Sequence, residues 1–292
     1  MGIKDLSKFL HDKCPEIFEP IHISEYHFRK IAIDTSLYLC NYKALYQDKW
    51  LGAFIKLISC LRENEIHCVF IYDSGYPPEK ESERKERADA RFKLEERICR
   101  LEEAVENYYS SGEIDQILID FQNKKGTARK SILRPNSINI KGIEYYVKKM
   151  RNQLFSISPQ DFATTKQLFD ILQVPYFNAP LEAETMCSDL CIQGKVDAVL
   201  SEDTDVLAYG APVFLTKMNT LNGTCIRVKH PELLENLGMT ADEFLDFCIM
   251  CGTDYNKNIF KVGPVKAFNL IESHKTIDAV AENMNLDVTI LN

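Results

Sequence analysis

Three short apolar runs in this 292-residue chain stop on aspartate. Arg29-Lys30-Ile31-Ala32-Ile33 ends at Asp34, and His67-Cys68-Val69-Phe70-Ile71-Tyr72 ends at Asp73. Asp197-Ala198-Val199-Leu200-Ser201 leads through Glu202 to Asp203-Thr204-Asp205. Short runs with an apolar centre of this kind read as strands buried on both faces. A fourth run at 174–177 leads through Asn178-Ala179-Pro180-Leu181 into Glu182-Ala183-Glu184, and strands are also predicted at 213–216 and 224–228, with a hairpin turn at Asn222-Gly223. Helical stretches lie between, at 36–64, 79–107, 141–155, 158–172 (opened by Ser158-Pro159) and 182–193, and 110–140 reads as loop-rich. Alternation of this kind predicts an α/β fold: a doubly wound, mainly parallel central sheet with helices on both faces.

Ligands of such sheets bind at the carboxyl ends of the strands. Asp34, Asp73, Glu182, Glu184, Asp203 and Asp205 are therefore predicted to converge on one edge. A single aspartate there is commonly a helix cap. Six together repel one another unless a positive charge intervenes, and no Lys or Arg lies in the acidic motifs at these strand ends. An oxygen-rich, nitrogen-poor cluster suits Mg²⁺ or Mn²⁺ rather than Zn²⁺. Glu202 stands apart: side chains alternate along an extended segment, so it is expected to face away from Asp203 and Asp205. Cys248 and Cys251 form a lone CxxC with no second pair to complete a zinc quartet, and the ten cysteines are expected to be reduced thiols.

The net charge is −8, which argues against a simple cationic nucleic-acid binder. Yet residues 122–155 carry nine Lys or Arg, among them Lys124, Lys125, Arg129 and Lys130, against the single acid Glu144. A basic stripe on an acidic body can hold a polyanion, and Tyr108, Tyr109, Tyr145, Tyr146 and Phe155 lie beside it, as suits stacking on single-strand bases. The alternative is a solvated basic loop. No apolar run approaches the length of a membrane span, and MGIKDLSKFL lacks the continuous apolar stretch of a secretory signal. An intracellular protein without membrane contact is expected.

Seven segments in order, MGIKDL, IAIDTS, VFIYDSG, APLEAETMCSDL, LSEDTDVLAYG, FCIMCGTDY and VGPVKAFNLI, make the chain resemble the flap endonucleases of the XPG-type structure-specific 5′ nuclease family, over 1–110 and 158–280. The resemblance implies a PIN-like fold with a helical arch or cap insertion and a C-terminal helix-two-turn-helix. It divides one nuclease domain into an N-terminal region at 1–107, the arch at 108–157 and an internal region at 158–292. It implies two Mg²⁺ ions, with Mn²⁺ as substitute, held by Asp34, Asp73, Glu182, Glu184, Asp203, Asp205 and Asp254. It implies a catalytic basic pair, for which Lys80 and Arg87 have the seven-residue spacing of one helical face; Arg84 and Arg91 repeat that spacing one turn on. DNA contact is assigned to Gly2, Lys124, Lys125, Arg129, Lys130, Lys261, Gly263 and Lys266, with a monovalent cation at the helix-two-turn-helix. The partner is DNA with single-strand/double-strand junctions, bound by a monomer in the nucleus or another compartment of DNA replication. A sliding clamp is a further partner, reached through a C-terminal tail not present here.

The sequence departs from the family at two places. Lys261 stands where the first Gly of a Gly-x-Gly turn is usual, and Cys40 where an aromatic is often found, with Tyr38 or Tyr42 as substitutes. The expected reaction is hydrolysis of DNA at 5′ flaps, nicks or gaps to 5′-phosphate and 3′-hydroxyl ends. Alternatives are a junction-resolving or 5′→3′ exonucleolytic enzyme, also acting on RNA, a silent DNA-binding scaffold, and a small-molecule phosphohydrolase.

Overall fold

The computed structural model describes residues 2–125, 138–284 and 287–291. They fall into two compact units, Met1–Glu81 with Ile157–Asn292, and Ser82–Ser156.

In the first unit, α1 (Leu6–Lys13) and edge strand β1 (Glu19–His22) precede β2 (Lys30–Asp34), α2 (Thr35–Tyr46), α3 (Trp50–Glu63) and β3 (His67–Tyr72). The second unit holds most of the long α4 (Glu81–Ser111), with α5 (Gln116–Lys125) and α6 (Ile140–Gln153). The chain then re-enters the first unit with α7 (Pro159–Leu172), β4 (Tyr176–Asn178), α8 (Ala183–Ile192), β5 (Ala198–Leu200), α9 (Asp205–Ala208), β6 (Val213–Asn219) and β7 (Thr224–Lys229). It closes with α10 (His230–Leu237), α11 (Ala241–Cys251), α12 (Pro264–His274) and α13 (Ile277–Met284).

The sheet has seven strands in the order β1-β7-β6-β5-β2-β3-β4. From β6 to β4 all neighbours are parallel, and β7 and β1 add an antiparallel edge. Alternating residues of the central strands feed two cores. Ala32, Ile71, Val199 and Phe214 pack with Leu6, Phe9, Cys187 and Phe247 on one face. Ile31, Ile33, Phe70 and Leu200 pack with Leu39, Phe54, Leu57 and Phe169 on the other. Burial on both faces is why these strands carry no polar alternation. The chain runs outward from β2 to β3 and β4 in one direction, and from β5 to β6 in the other. The switch point, where ligands of such sheets bind, is thus between β2 and β5.

The expected doubly wound architecture is present. The helix from Ser158 is closed by a capping box, in which Ser158 and Asp161 each satisfy the other's backbone N–H. The Asn222-Gly223 turn joins β6 to β7 as an antiparallel hairpin. Two elements differ from expectation. β1 contains Pro20 and buries Ile21 alone, too little pattern to read. The loop expected over 110–140 includes α5, whose Leu118 and Phe121 sit three apart and bury with Ile98, Leu101, Val105, Ile143 and Val147 in a separate core. The thin apolar face of α4 thus finds its partners in α5 and α6, while Phe92 stays exposed.

Candidate functional site

Asp34 ends β2 and caps α2, accepting from Leu37 N at 3.1 Å and, more loosely, from Ser201 Oγ at 3.4 Å. Asp73 follows β3 at the open rim of the site. Its backbone N–H donates to Ser36 Oγ at 3.1 Å, and its carboxylate accepts from Ala183 N at 2.7 Å, on the first turn of α8. That bond ties the end of β3 to the helix that carries Glu182 and Glu184.

Beyond β5, Ser201 Oγ accepts from Asp203 N at 3.1 Å, and Asp203 Oδ1 accepts from Asp205 N at 3.0 Å. Both carboxylate oxygens of Asp205 are buried without a hydrogen-bond partner. Glu202 turns the other way: Thr216 Oγ1 and Lys217 N donate to it at 2.9 and 2.7 Å. It fastens β6, and the expected separation of Glu202 from the cluster holds.

Asp254 lies in the turn after α11. Thr253 Oγ1 accepts from Tyr255 N, and Asn256 Nδ2 reaches back to Ile249 O at 2.8 Å, so the turn is fixed to the helix it leaves.

The counter-charge comes from Lys80. It is 6% exposed, and its Nζ lies 2.7 Å from Glu182, 3.5 Å from Glu184 and 3.8 Å from Asp254. It also sits over the Tyr255 ring, 4.5 Å from the centroid. The seven-residue spacing predicts a helical face shared by Lys80 and Arg87. Lys80 instead ends the 3₁₀ turn Pro78–Lys80 that leads into α4. Arg87 lies in the other unit, paired with Glu83 one turn away.

The electrostatics follow from burial and repulsion. Burial, then the nearby Asp73 and Glu184, holds the Asp34 carboxyl well above the usual range. Burial raises Glu184 to about 7, and burial with Asp203 and Asp254 beside it raises Asp205 to about 8. Asp73 and Asp203 are raised mainly by burial too. Lys80 moves up despite its burial, because Glu182 hydrogen-bonds it and Glu184 lies close.

Among the described residues, no three acidic, His or Cys side chains converge as a finished metal cage. The donor set nevertheless fits hard divalent cations. It offers carboxylate oxygens alone, several held at raised pKa by burial and then by one another's charge, with two orphaned oxygens on Asp205.

Gly2 packs directly on this cluster. Its φ is +87°, and a Cβ there would meet Asp203 Oδ1 at 2.1 Å and Thr204 Oγ1 at 2.7 Å. The requirement for glycine is thus already set by the acids. Ile3 N donates to Thr204 Oγ1, which holds the N-terminal residues against the site.

Lys261 and Gly263 lie between α11 and α12, and Lys266 lies on α12, all exposed. Lys261 takes a left-handed φ of +63° where glycine was expected. Lys124 is exposed on α5; Arg129 and Lys130 fall outside the described residues, as does the side chain of Lys125. Cys40 is half-buried on α2, where Tyr38 and Tyr42 pack against each other in the core. All ten cysteines are free thiols, and no described helix is long and apolar enough to cross a membrane.

Tyr209 and Tyr255 were missed in the sequence. Tyr255 Oη lies 2.5 Å from Glu182 Oε2, and Tyr209 Oη lies 2.6 Å from Tyr255 Oη. Both line a cavity of about 780 Å³ between α8 and α11, whose wall also includes Glu182 and Asp205. The adjacency of Tyr255 to Asp254 was the signal available.

The XPG N-terminal domain profile matches residues 1–94, and the XPG I-region profile matches residues 173–254. The chain is 37% identical over 320 residues to a probable RAD2-like endonuclease of Invertebrate iridescent virus 3, covering 100% of this chain and 83% of that protein. It is 30% identical over 302 residues to flap endonuclease 1 of Brugia malayi, covering 98% of this chain and 70% of that one. Among solved structures, the catalytic core of Rad2 in complex with DNA substrate superposes with a TM-score of 0.65 at 16% identity, covering 96% of this chain and 71% of that one.

Proposed function

Because the chain belongs to the XPG-type flap endonuclease family, we propose that it is a structure-specific 5′ nuclease that hydrolyses DNA at 5′ flaps, nicks or gaps. The products are 5′-phosphate and 3′-hydroxyl ends. The observation that carries the reading is Asp205, buried with both carboxylate oxygens unpartnered and with Asp203, Asp254 and Glu184 close by.

Asp34, Asp73 and Glu182 would hold one Mg²⁺ and Asp205 and Asp254 a second, with Glu184 and Asp203 close to both. When bound, such a pair supplies Lewis acidity and a water of lowered pKa. The chain's own residues supply the rest. The Asp73–Ala183 and Asp34–Leu37 hydrogen bonds fix the acids to the ends of secondary-structure elements, so little reorganises when charge develops. Lys80 is the cation already at the site. Its ammonium, shared among Glu182, Glu184 and Asp254, is placed to transfer part of that interaction to the scissile phosphate. Arg87 is its proposed partner.

Lys124, Lys125, Arg129 and Lys130 belong to the proposed arch over a single 5′ strand. Lys261, Gly263 and Lys266 belong to the proposed grip on duplex phosphates, with a monovalent cation at that turn and Gly2 near the DNA. A monomer inside a DNA-replicating compartment completes the reading, with Mn²⁺ as the substitute metal and a sliding clamp as the further partner.

The test is a 5′-labelled flap substrate with Mg²⁺. Asp203→Asn is expected to abolish cleavage and keep DNA binding; loss of binding with cleavage retained would overturn the reading. Product lengths on flap, nick and four-way-junction substrates separate flap cutting from junction resolution and exonuclease action.

A further inference from the structure

Glu182 is the N-cap residue of α8, yet its side chain makes no capping hydrogen bond to its own helix. What holds it comes from elsewhere. Tyr255 Oη donates to Oε2 at 2.5 Å, and Lys80 Nζ contacts Oε1 at 2.7 Å. Lys80 in turn lies 4.5 Å above the ring of that same Tyr255. The three side chains close a triangle: phenol to carboxylate, carboxylate to ammonium, ammonium to aromatic face. A phenol has one proton, and Tyr255 gives its own to Glu182. The 2.6 Å contact between the two hydroxyls therefore has Tyr209 as donor and Tyr255 as acceptor. A donor behind Tyr255 polarises its O–H and strengthens the bond to Glu182.

The phenol is itself firmly placed. Its backbone N–H donates to Thr253 Oγ1 at 3.1 Å, and Thr253 Oγ1 donates to Asn256 Oδ1 at 2.6 Å. One turn thus delivers Asp254 and, next to it, the side chain that sets Glu182. Tyr209 arrives independently from the end of α9, four residues after Asp205.

We infer that Tyr255, backed by Tyr209, is a positioning residue of the nuclease site, fixing Glu182 and Lys80 relative to each other for metal and phosphate binding. This rests on the metal-dependent nuclease reading above. Outer partners of metal-binding carboxylates typically change metal affinity or activity about 10–100-fold when removed, and neither tyrosine need touch substrate to have this effect.

Tyr255→Phe keeps the ring under Lys80 and deletes the hydroxyl; Tyr209→Phe deletes only the donor behind it. Mn²⁺ binding to the DNA-free protein, read by the loss of free-ion EPR signal, is expected to weaken about tenfold in Tyr255→Phe and by less in Tyr209→Phe. With Mg²⁺ and a 5′-labelled flap, kcat is expected to fall about tenfold in Tyr255→Phe with KM nearly unchanged. Wild-type Mn²⁺ affinity and wild-type kcat in Tyr255→Phe would overturn the inference. Where Tyr255→Phe loses its circular-dichroism signature, Tyr209→Phe carries the same test alone. A wild-type protein that binds Mn²⁺ but cuts no DNA would defeat the nuclease reading and leave the EPR comparison still decisive for Tyr255.

Discussion

Lys80 Nζ lies 2.7 Å from Glu182 Oε1, with both side chains almost wholly buried. Removing one partner of a buried ion pair strands the other, which typically costs about 3–5 kcal/mol. Here Glu182, Glu184 and Asp254 all lose the same ammonium. Urea unfolding in EDTA should therefore place Lys80→Met about 3 kcal/mol below wild type. Flap cleavage should drop by at least about a hundredfold if, as proposed, this ammonium meets the charge of the scissile phosphate. A stability change within about 0.5 kcal/mol, the range of an ordinary surface substitution, would mean that Lys80 is not the cluster's counter-charge.

The raised acids set a pH dependence with a definite sign. Asp205 moves from 3.8 to about 8 and Glu184 from 4.5 to about 7, while Asp34 moves in the same direction. The folded protein holds these protons more tightly than the unfolded chain. The associated stability is fully present below the unfolded values and is lost as pH climbs through 7 and 8. The raised Lys80 keeps its proton throughout this window and does not change the sign. In EDTA the urea midpoint should fall between pH 5.5 and pH 8.5. With Mg²⁺, which binds the deprotonated acids, the fall should flatten or reverse. A midpoint that rises over this range in EDTA contradicts the assignment.

Much of this site was legible because β-sheet geometry is local and periodic. Asp34 and Asp73 follow apolar runs that are strands for no other reason than burial, and strand ends of a doubly wound sheet share an edge. The same period separates Glu202, bonded to Thr216 and Lys217, from Asp203. Asp254 had no strand to announce it and came from the resemblance alone. Lys80 was assigned to the site, but its role as counter-charge was hidden, because its partners at 182, 184 and 254 are distant in the chain and only tertiary structure joins them. Tyr209 and Tyr255 are hard to read for the same reason: Tyr209 ends an apolar stretch and reads as core, Tyr255 sits in a polar turn with only its neighbour Asp254 to mark it, and their hydroxyl partners are distant in the chain.

Two glycines assigned to DNA contact separate cleanly. Gly2 has φ +87° and no room for a methyl beside Asp203; Gly263 has φ −99° and nothing within 4 Å of its missing Cβ. Gly2→Ala should displace Asp203 and lower flap cleavage by about a hundredfold, as ångström-scale misplacement of a catalytic group can. Gly263 is the N-cap of α12, where Ala caps less well but stiffens the unfolded chain, so Gly263→Ala should move the urea midpoint little while its methyl weakens duplex binding at the proposed DNA contact. Equal effects of both variants on stability would remove the distinction.

Lys261 lies at a left-handed φ of +63°, a conformation that costs a residue with a Cβ about 1 kcal/mol or more and costs glycine little. Glycine in turn makes the unfolded chain more flexible, at about 0.4–1 kcal/mol. The balance should leave Lys261→Gly stable to within about 0.5 kcal/mol of wild type, whereas Lys261→Ala keeps the strain and gains nothing. Their electrostatic effect should be the same. Each removes one cation from the turn before α12, so the slope of log K against log salt for duplex DNA should become shallower by about 0.9. A salt slope unchanged in both variants would place Lys261 outside the DNA contact. A stability loss of about 1 kcal/mol or more in Lys261→Gly, with Lys261→Ala unaffected, would mean that this backbone conformation is not under strain.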